Sequence, residues 1–414
     1  MTTFVLGGAQ SDFARHLARE GGGLAELTGE LVDEALAAAA IDASEVGTIH
    51  VGNAFGELFT GQGHLGALPA TVRPALWGVP AARHEAACAS GSVAILAAAA
   101  ELEAGRYDCA LVLGVEQERN VSGVVAAQNL GAAAWVGREG AEADAAKYLW
   151  PHQFARIGAA YAERWGLDRR HLAALSEQAF ANAKGNPHAQ ARAWTVDATT
   201  FAEDDATNPV VERGDGFGLR RSDCAQVTDG GAAVVLASAR FAERWAARRG
   251  RVLADVPRLL GWGHRTAGLS LTSKLARAEP GALLFPHVAE AMADARHRAG
   301  AAGAQLHGYE VHDCFTTTAY MAIDHLGLTA PGRSWEAIED GRIARTGAAP
   351  VNPGGGLVGI GHPVGATGVR MVLDAAHQVT GRAGDCQVPG AKRIGTLNLG
   401  GSATTVVAFV VGTG

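Results

Sequence analysis

Two stretches of this chain run through the same order of elements, and few architectures accommodate such a repeat. The first passes from a helical pattern over Leu27 to Ala40 into the short apolar strand Thr48-Ile49-His50-Val51, and then to the small-residue turn Cys88-Ala89-Ser90-Gly91-Ser92. A helix follows to Ala104, then the turn Gly105-Arg106-Tyr107-Asp108 and the strand Cys109 to Gly114. The second passes from Val288–Ala299 into Tyr309-Glu310-Val311, reaches a turn at His362, and continues through a helix to Val379, the turn Gly381-Arg382 and the strand Arg393 to Leu397. Strands alternating with helices of this length predict an α/β fold, and the repeat predicts two similar halves packed face to face. Equivalent elements then end at one cleft, with Cys88 on one side, His362 on the other, and His312 and Cys314 delivered by a strand of the second half.

Between the strands of the first half lies an excursion over residues 119–221, with helical stretches at Phe154–Arg164 and Arg170–Lys184. About 100 residues is too long for a loop, so the segment must fold on itself. The chain returns through Gln226-Val227-Thr228-Asp229-Gly230 into the apolar strand ending at Leu236. We expect three units: an N-terminal half over 1–118 completed by about 222–270, an inserted domain over 119–221, and a C-terminal half over 271–414. The 414 residues, 48% of them hydrophobic, are enough to bury more than one core.

Composition removes several classes of function. The net charge is −7 and no basic run is interleaved with aromatics, which argues against nucleic acid as a partner. Five cysteines form an odd set without a C-x-x-C pair, so free thiols in a reducing compartment are expected, not disulfides or a zinc site. No stretch reaches the ~18 apolar residues of a membrane span, and neither end carries a recognisable address, so a cytoplasmic protein is expected. Phosphate-binding loops, H-E-x-x-H pairs and dinucleotide fingerprints do not occur; no metal ligand set and no resident cofactor are expected.

Three segments carry reactive groups. Cys88 opens a turn just ahead of the Ala-rich helix Val93-Ala94-Ile95-Leu96-Ala97, where the helix dipole and unpaired N–H groups favour a thiolate, so its pKa is expected to fall toward neutrality. The Gly-rich string Gly361-His362-Pro363-Val364-Gly365-Ala366-Thr367-Gly368 supplies an imidazole at the start of another helix. A strand ending in Val311-His312-Asp313-Cys314-Phe315 delivers three polar groups in succession, which is costly unless they serve a site. Taken singly, each has a structural explanation; together they point to covalent acyl transfer, with thiol as nucleophile and imidazole as base.

With these segments in view the chain resembles the thiolase family. Cys88-Ala89-Ser90-Gly91-Ser92 is similar to its nucleophile motif, Gly361-His362-Pro363 to its activating-histidine motif, and Leu397-Asn398-Leu399-Gly400-Gly401-Ser402 to its last glycine-rich motif. Most members carry a cysteine in that last motif and Asn-Glu-Ala-Phe in the middle one. Here Asn398 and His312-Asp313-Cys314-Phe315 stand instead, a combination similar to the sterol-carrier-protein-type thiolases. The strings from Trp150-Pro151-His152 to Asn186-Pro187-His188 resemble the inserted segment of that subfamily.

The resemblance implies duplicated halves in a layered αβαβα core with an inserted loop domain. It implies an acetyl-CoA C-acyltransferase or acetyl-CoA acetyltransferase of fatty acid metabolism that takes acyl-CoA and CoA as substrates and assembles as a homodimer or homotetramer. Cys88, His312, Cys314 and His362 inherit catalytic roles, with Cys314 as acid/base, while Asn398, Gly400 and Gly401 are expected around the substrate. The resemblance leaves open a condensing acyltransferase, a retro-aldolase subunit bound to a partner, or a catalytically silent scaffold. Retro-aldolase versions are expected to lack the nucleophile, so Cys88 argues against that reading.

Overall fold

The computed structural model describes residues 3–143, 146–303 and 306–413. In the first half, strand β1 (Thr3–Gln10) leads to helix α1 (Leu24–Ala39), β2 (Thr48–Gly52), β3 (Ala81–His84), α2 (Ser90–Glu103) and β4 (Cys109–Glu116). The excursion that follows contains α3 (Leu149–Trp165), α4 (Arg169–Ala183) and the hairpin β5 (Val210–Gly214) and β6 (Phe217–Arg220). The chain then returns through β7 (Gly230–Ala237) and α5 (Ala239–Arg248). The second half runs β8 (Arg258–Thr266), α6 (Pro286–Arg298), β9 (Gly308–Val311), α7 (Thr316–His325), α8 (Thr367–Val379), β10 (Arg393–Gly400) and β11 (Thr405–Gly412).

The strands align in the order β3-β2-β4-β7-β1-β8-β11-β10-β9. From the centre outward the halves match: β1, β7, β4, β2 and β3 on one side correspond to β8, β11, β10, β9 and a lone parallel bridge between Tyr309 and Val351 on the other. Directions match as well, with β4 antiparallel to β7 as β10 is to β11, and β2 parallel to β4 as β9 is to β10. Within the sheet the halves pair where Thr3 and Phe4 of β1 face Leu259 and Arg258 of β8.

Helices α2 and α8 touch each other between the two half-sheets, and α8 contacts strands of both. Outside them α1 covers β1, β7 and β4, while α6 covers β8 and β11, which makes the five layers α-β-α-β-α. Sequence accounts for each layer. Helix α1 buries Leu24, Leu27, Leu31, Val32 and Ala35 on one stripe and ends with Ala40 at φ 49°. Helix α2 is apolar all round because it is covered on several sides, and its buried Ala94, Ala98 and Ala99 let the sheets approach it closely. Strands β4 and β7 are buried along their whole length, which is why they read as continuous apolar runs.

Candidate active site

Cys88 sits on a sharp turn ahead of α2. Ala87 takes φ 51°, and the Ser90 hydroxyl ties the turn by donating to the Ala87 carbonyl at 2.6 Å while accepting from the Ala86 N–H at 2.9 Å. Small residues are needed here for space. A Cβ on Gly91 would lie 2.6 Å from the Gly365 carbonyl oxygen, and one on Gly400 would lie 2.2 Å from that of Ala86. The two helix starts and the end of β10 therefore converge, and Cys88 and His362, 274 positions apart in sequence, come together.

The sulfur of Cys88 and a ring nitrogen of each of His312 and His362 all lie within 4.8 Å of one another, and the two imidazoles meet edge to face with centroids 5.0 Å apart. Their outer partners set opposite tautomers. Thr367 donates its hydroxyl to the Pro363 carbonyl at 3.2 Å, so at 2.7 Å from His362 Nδ1 it accepts, which puts the proton on Nδ1 and a lone pair on Nε2. Asn398 accepts from the Ser92 hydroxyl at 2.8 Å and turns its amide to His312 Nδ1 at 3.2 Å, which leaves the proton of that ring on Nε2. Both Nε2 atoms are buried and without a protein partner. One imidazole thus offers a base and the other a donor. Three such side chains are close enough to ligate a soft metal ion, but that needs two lone pairs where this arrangement holds one lone pair and one N–H.

Burial dominates the electrostatics. It pushes the Cys88 thiol up to about 12, with the nearby Glu118 adding to the rise and the backbone N–H groups of Gly401 and Cys88 opposing it. The expectation of a thiolate near neutrality is therefore corrected: desolvation outweighs the dipole of α2, and Cys88 rests as a thiol. His362 is pushed down to about 3 by burial and then by the positive charge of Arg370, and His312 falls well below its ordinary value for the same first reason. Both imidazoles rest neutral. Cys314, also buried, is raised well above the usual thiol range.

A cavity of about 350 Å³ opens over the sulfur, lined by Cys88, Cys314, His362, Gly401 and an apolar wall. Leu130, Trp150 and Phe154 of the excursion supply part of that wall, and Phe154 stacks on Phe315 with centroids 4.6 Å apart. Gly401 borders the cavity, whereas Asn398 and Gly400 do not: Asn398 is fully buried behind His312, and Gly400 is committed to the approach to Ala86. Asp313 also turns away, accepting the Leu357 N–H at 2.6 Å. The turn carrying Gly401 is held by buried Lys274, which donates to Ser402 at 2.8 Å and Thr404 at 2.7 Å.

Several groups around the site carry only a faint signal in the sequence. Arg370 is 1% exposed and paired with Glu310 at 3.0 Å and Asp374 at 2.6 Å; its signal was a lone cation inside an apolar helix. Glu116 and Glu118 sit at the end of a buried strand, where two carboxyls in Val115-Glu116-Gln117-Glu118 are a legible oddity. His50 and His84 carry no partner signal in the sequence, yet they share a 2.9 Å hydrogen bond that continues to Glu101.

Duplicated halves in five layers, with a thiol between two imidazoles over an apolar cavity, describe a covalent transferase of the α/β class. The model for the thiolase N-terminal domain matches residues 5–240, and that for the thiolase C-terminal domain-like unit matches 270–413. The chain belongs to the thiolase family. It is 28% identical over 374 residues to the acetyl-CoA acetyltransferase of Methanothermobacter thermautotrophicus, covering 90% of each chain. It is 27% identical over 424 residues to human sterol carrier protein 2, covering 99% of this chain and 72% of that protein. Among solved structures, the Ltp2-ChsH2(DUF35) aldolase superposes with a TM-score of 0.75 at 19% identity, over 100% of this chain and 98% of that one. The acetyl-CoA acetyltransferase from Syntrophomonas wolfei does so with 0.68 at 17%, over 99% and 98%. Among the described residues no helix is long and apolar enough to cross a membrane.

Proposed function

We propose that this thiolase-family acyltransferase moves acyl groups between coenzyme A thioesters through an acyl-Cys88 intermediate. In the cleavage direction, Cys88 Sγ attacks the 3-oxo carbon of a 3-oxoacyl-CoA as its proton passes to His362 Nε2. The oxyanion that forms is held by the N–H groups of Gly401 and Cys88. The bond between carbons 2 and 3 breaks, and the electron pair passes to an acetyl-CoA enolate, whose oxygen accepts from His312 Nε2–H and whose carbon takes the Cys314 proton. CoA then enters, its thiol attacks the acyl-Cys88 thioester as its proton passes to the Cys314 thiolate, and Cys88 leaves with the proton held on His362 Nε2, which restores all three groups. Condensation runs the same steps in reverse, and no resident cofactor is invoked.

The observation that carries this reading is one sulfur flanked by two imidazoles whose buried Nε2 atoms have no protein partner, since acyl transfer needs one base and one donor there. Leu130, Trp150 and Phe154 support a role for the 119–221 segment in shaping the acyl pocket. The reading includes a homodimer or homotetramer, to be tested by sizing in solution, and a cytoplasmic place in lipid metabolism, to be tested by fractionation. The decisive test is mass spectrometry after mixing with acetyl-CoA. An acetyl adduct on the Cys88 peptide, with release of one CoA per chain and none from Cys88→Ala, supports acyl transfer. Absence of adduct and of thiolysis supports a silent scaffold.

A further inference from the structure

Glu118 takes no part in the steps above, yet it lies two residues beyond β4, is 1% exposed, and lines the same cavity as Cys88 and His362. Its neighbours are better provided with donors. Glu116 accepts four: Asn53 Nδ2 at 2.8 Å and Phe55 N at 3.0 Å on one oxygen, Ala54 N and Gly365 N at 2.9 Å each on the other. Asp229 accepts the N–H groups of Leu17 at 3.0 Å and of Glu118 and Arg119 at 2.8 Å each. Glu118 accepts two, the Val364 N–H at 3.2 Å and the backbone N–H of Thr228. Glu118 has the fewest donors of the three, and burial together with the charge of Glu116 raises it well above the carboxylate range.

A protonated carboxyl is a hydrogen-bond donor. The cavity wall is largely apolar, with Phe55, Leu130 and Val364; of its polar lining residues, Arg221 and Gln226 donate to the backbone carbonyls of Thr207 and Cys224, and Tyr148 adds a phenol. The Val364 and Thr228 N–H groups satisfy lone pairs of the acid and not its O–H, which needs an acceptor that a ligand oxygen in the cavity can supply.

We propose that Glu118 is a specificity residue that selects acyl groups bearing a neutral hydrogen-bond-accepting oxygen, a hydroxyl or ketone, a few carbons from the carbonyl that Cys88 takes. This inference rests on the acyl-cysteine reading. The test compares the rate of Cys88 acylation by 3-hydroxybutyryl-CoA and 4-hydroxybutyryl-CoA with that by butyryl-CoA, in the full chain and in Glu118→Met and Glu118→Gln. The parent chain is expected to favour one of the hydroxylated esters by about 10-fold or more, Glu118→Met to bring that ratio close to one, and Glu118→Gln, which keeps a donor, to retain most of it. No preference in the parent chain overturns the proposal, whether or not the variants fold. An equal loss for all three esters in Glu118→Met also overturns it, and assigns Glu118 to holding the His362 turn through Val364. If the parent chain is acylated by acetyl-CoA but fails these comparisons, Glu118 alone loses its role; if it forms no adduct with any ester, the acyl-cysteine reading falls as well.

Discussion

The two halves share one topology and leave it at different points. Between β4 and β7 the first half makes the whole excursion that roofs the cavity, whereas at the matching place the second half closes β10 onto β11 with the turn Gly401 to Thr404. The second half makes its own excursion between β9 and α8, and from it come His312, Cys314 and His362. At the paired helix starts, Ala87 at φ 51° presents a thiol and Gly361 at φ 110° an imidazole. Duplication therefore brings two helix N-termini into one layer, and the departures from it supply different chemistry to each. Matching backbone positions do not imply matching roles.

The sharpest way to break this division is to remove the thiol. Cys88→Ala is expected to lose on the order of 10⁴-fold or more in turnover, read by a thiolysis assay, because the other thiol on the cavity, Cys314, serves the enolate carbon and does not replace the nucleophile. His362→Gln keeps the volume and removes the base. It is expected to cost roughly 10³-fold in kcat at neutral pH and to recover part of that as pH rises and the thiol ionises unaided; a flat profile assigns the base elsewhere. His312→Ala removes an enolate donor and is expected to cost roughly 10²- to 10³-fold in carbon–carbon cleavage while leaving acetyl adduct formation on Cys88 much less affected. Equal losses in both assays would merge roles that the geometry separates.

Two smaller effects probe the shared scaffold. Gly91→Ala forces a Cβ to within 2.6 Å of the Gly365 oxygen unless α2 and α8 shift, so a loss of roughly 1–3 kcal/mol is expected in denaturant unfolding. His362 rests neutral, pushed down to about 3, while an unfolded histidine titrates near 6.5. Its folded-state value is depressed, so this contribution is complete above about pH 6.5 and is lost as pH falls toward 3. About 1–2 kcal/mol should go by pH 5, and His362→Gln should flatten that part of the stability profile. An unchanged slope places the acid sensitivity in other groups, such as the His50–His84 pair.

The order of elements was legible because hydrophobic period and turn residues are local, and the predicted helix after Cys88 ends one residue from its observed end at Glu103. Cys88, His362 and the His312–Cys314 string stood out as chemistry in costly positions. Asn398 was legible as polar but not as a group that orients His312, because its partners, Ser92 and His312, come from distant segments. Glu118 was present in plain view beside Glu116, yet which of the two is better supplied with donors depends on the Asn53 side chain and on backbone N–H groups of residues 54, 55, 364 and 365.

Sequence alone determined the duplicated α/β order and the identity of the reactive groups, since both follow from residue type and spacing. Protonation was decided only by tertiary structure. A thiol at a helix start lowers its pKa in water, but here partial burial against an apolar cavity and the nearby Glu118 raise the value instead, and the tautomers of its two imidazoles are set by hydroxyl and amide groups that reach them only in the folded chain.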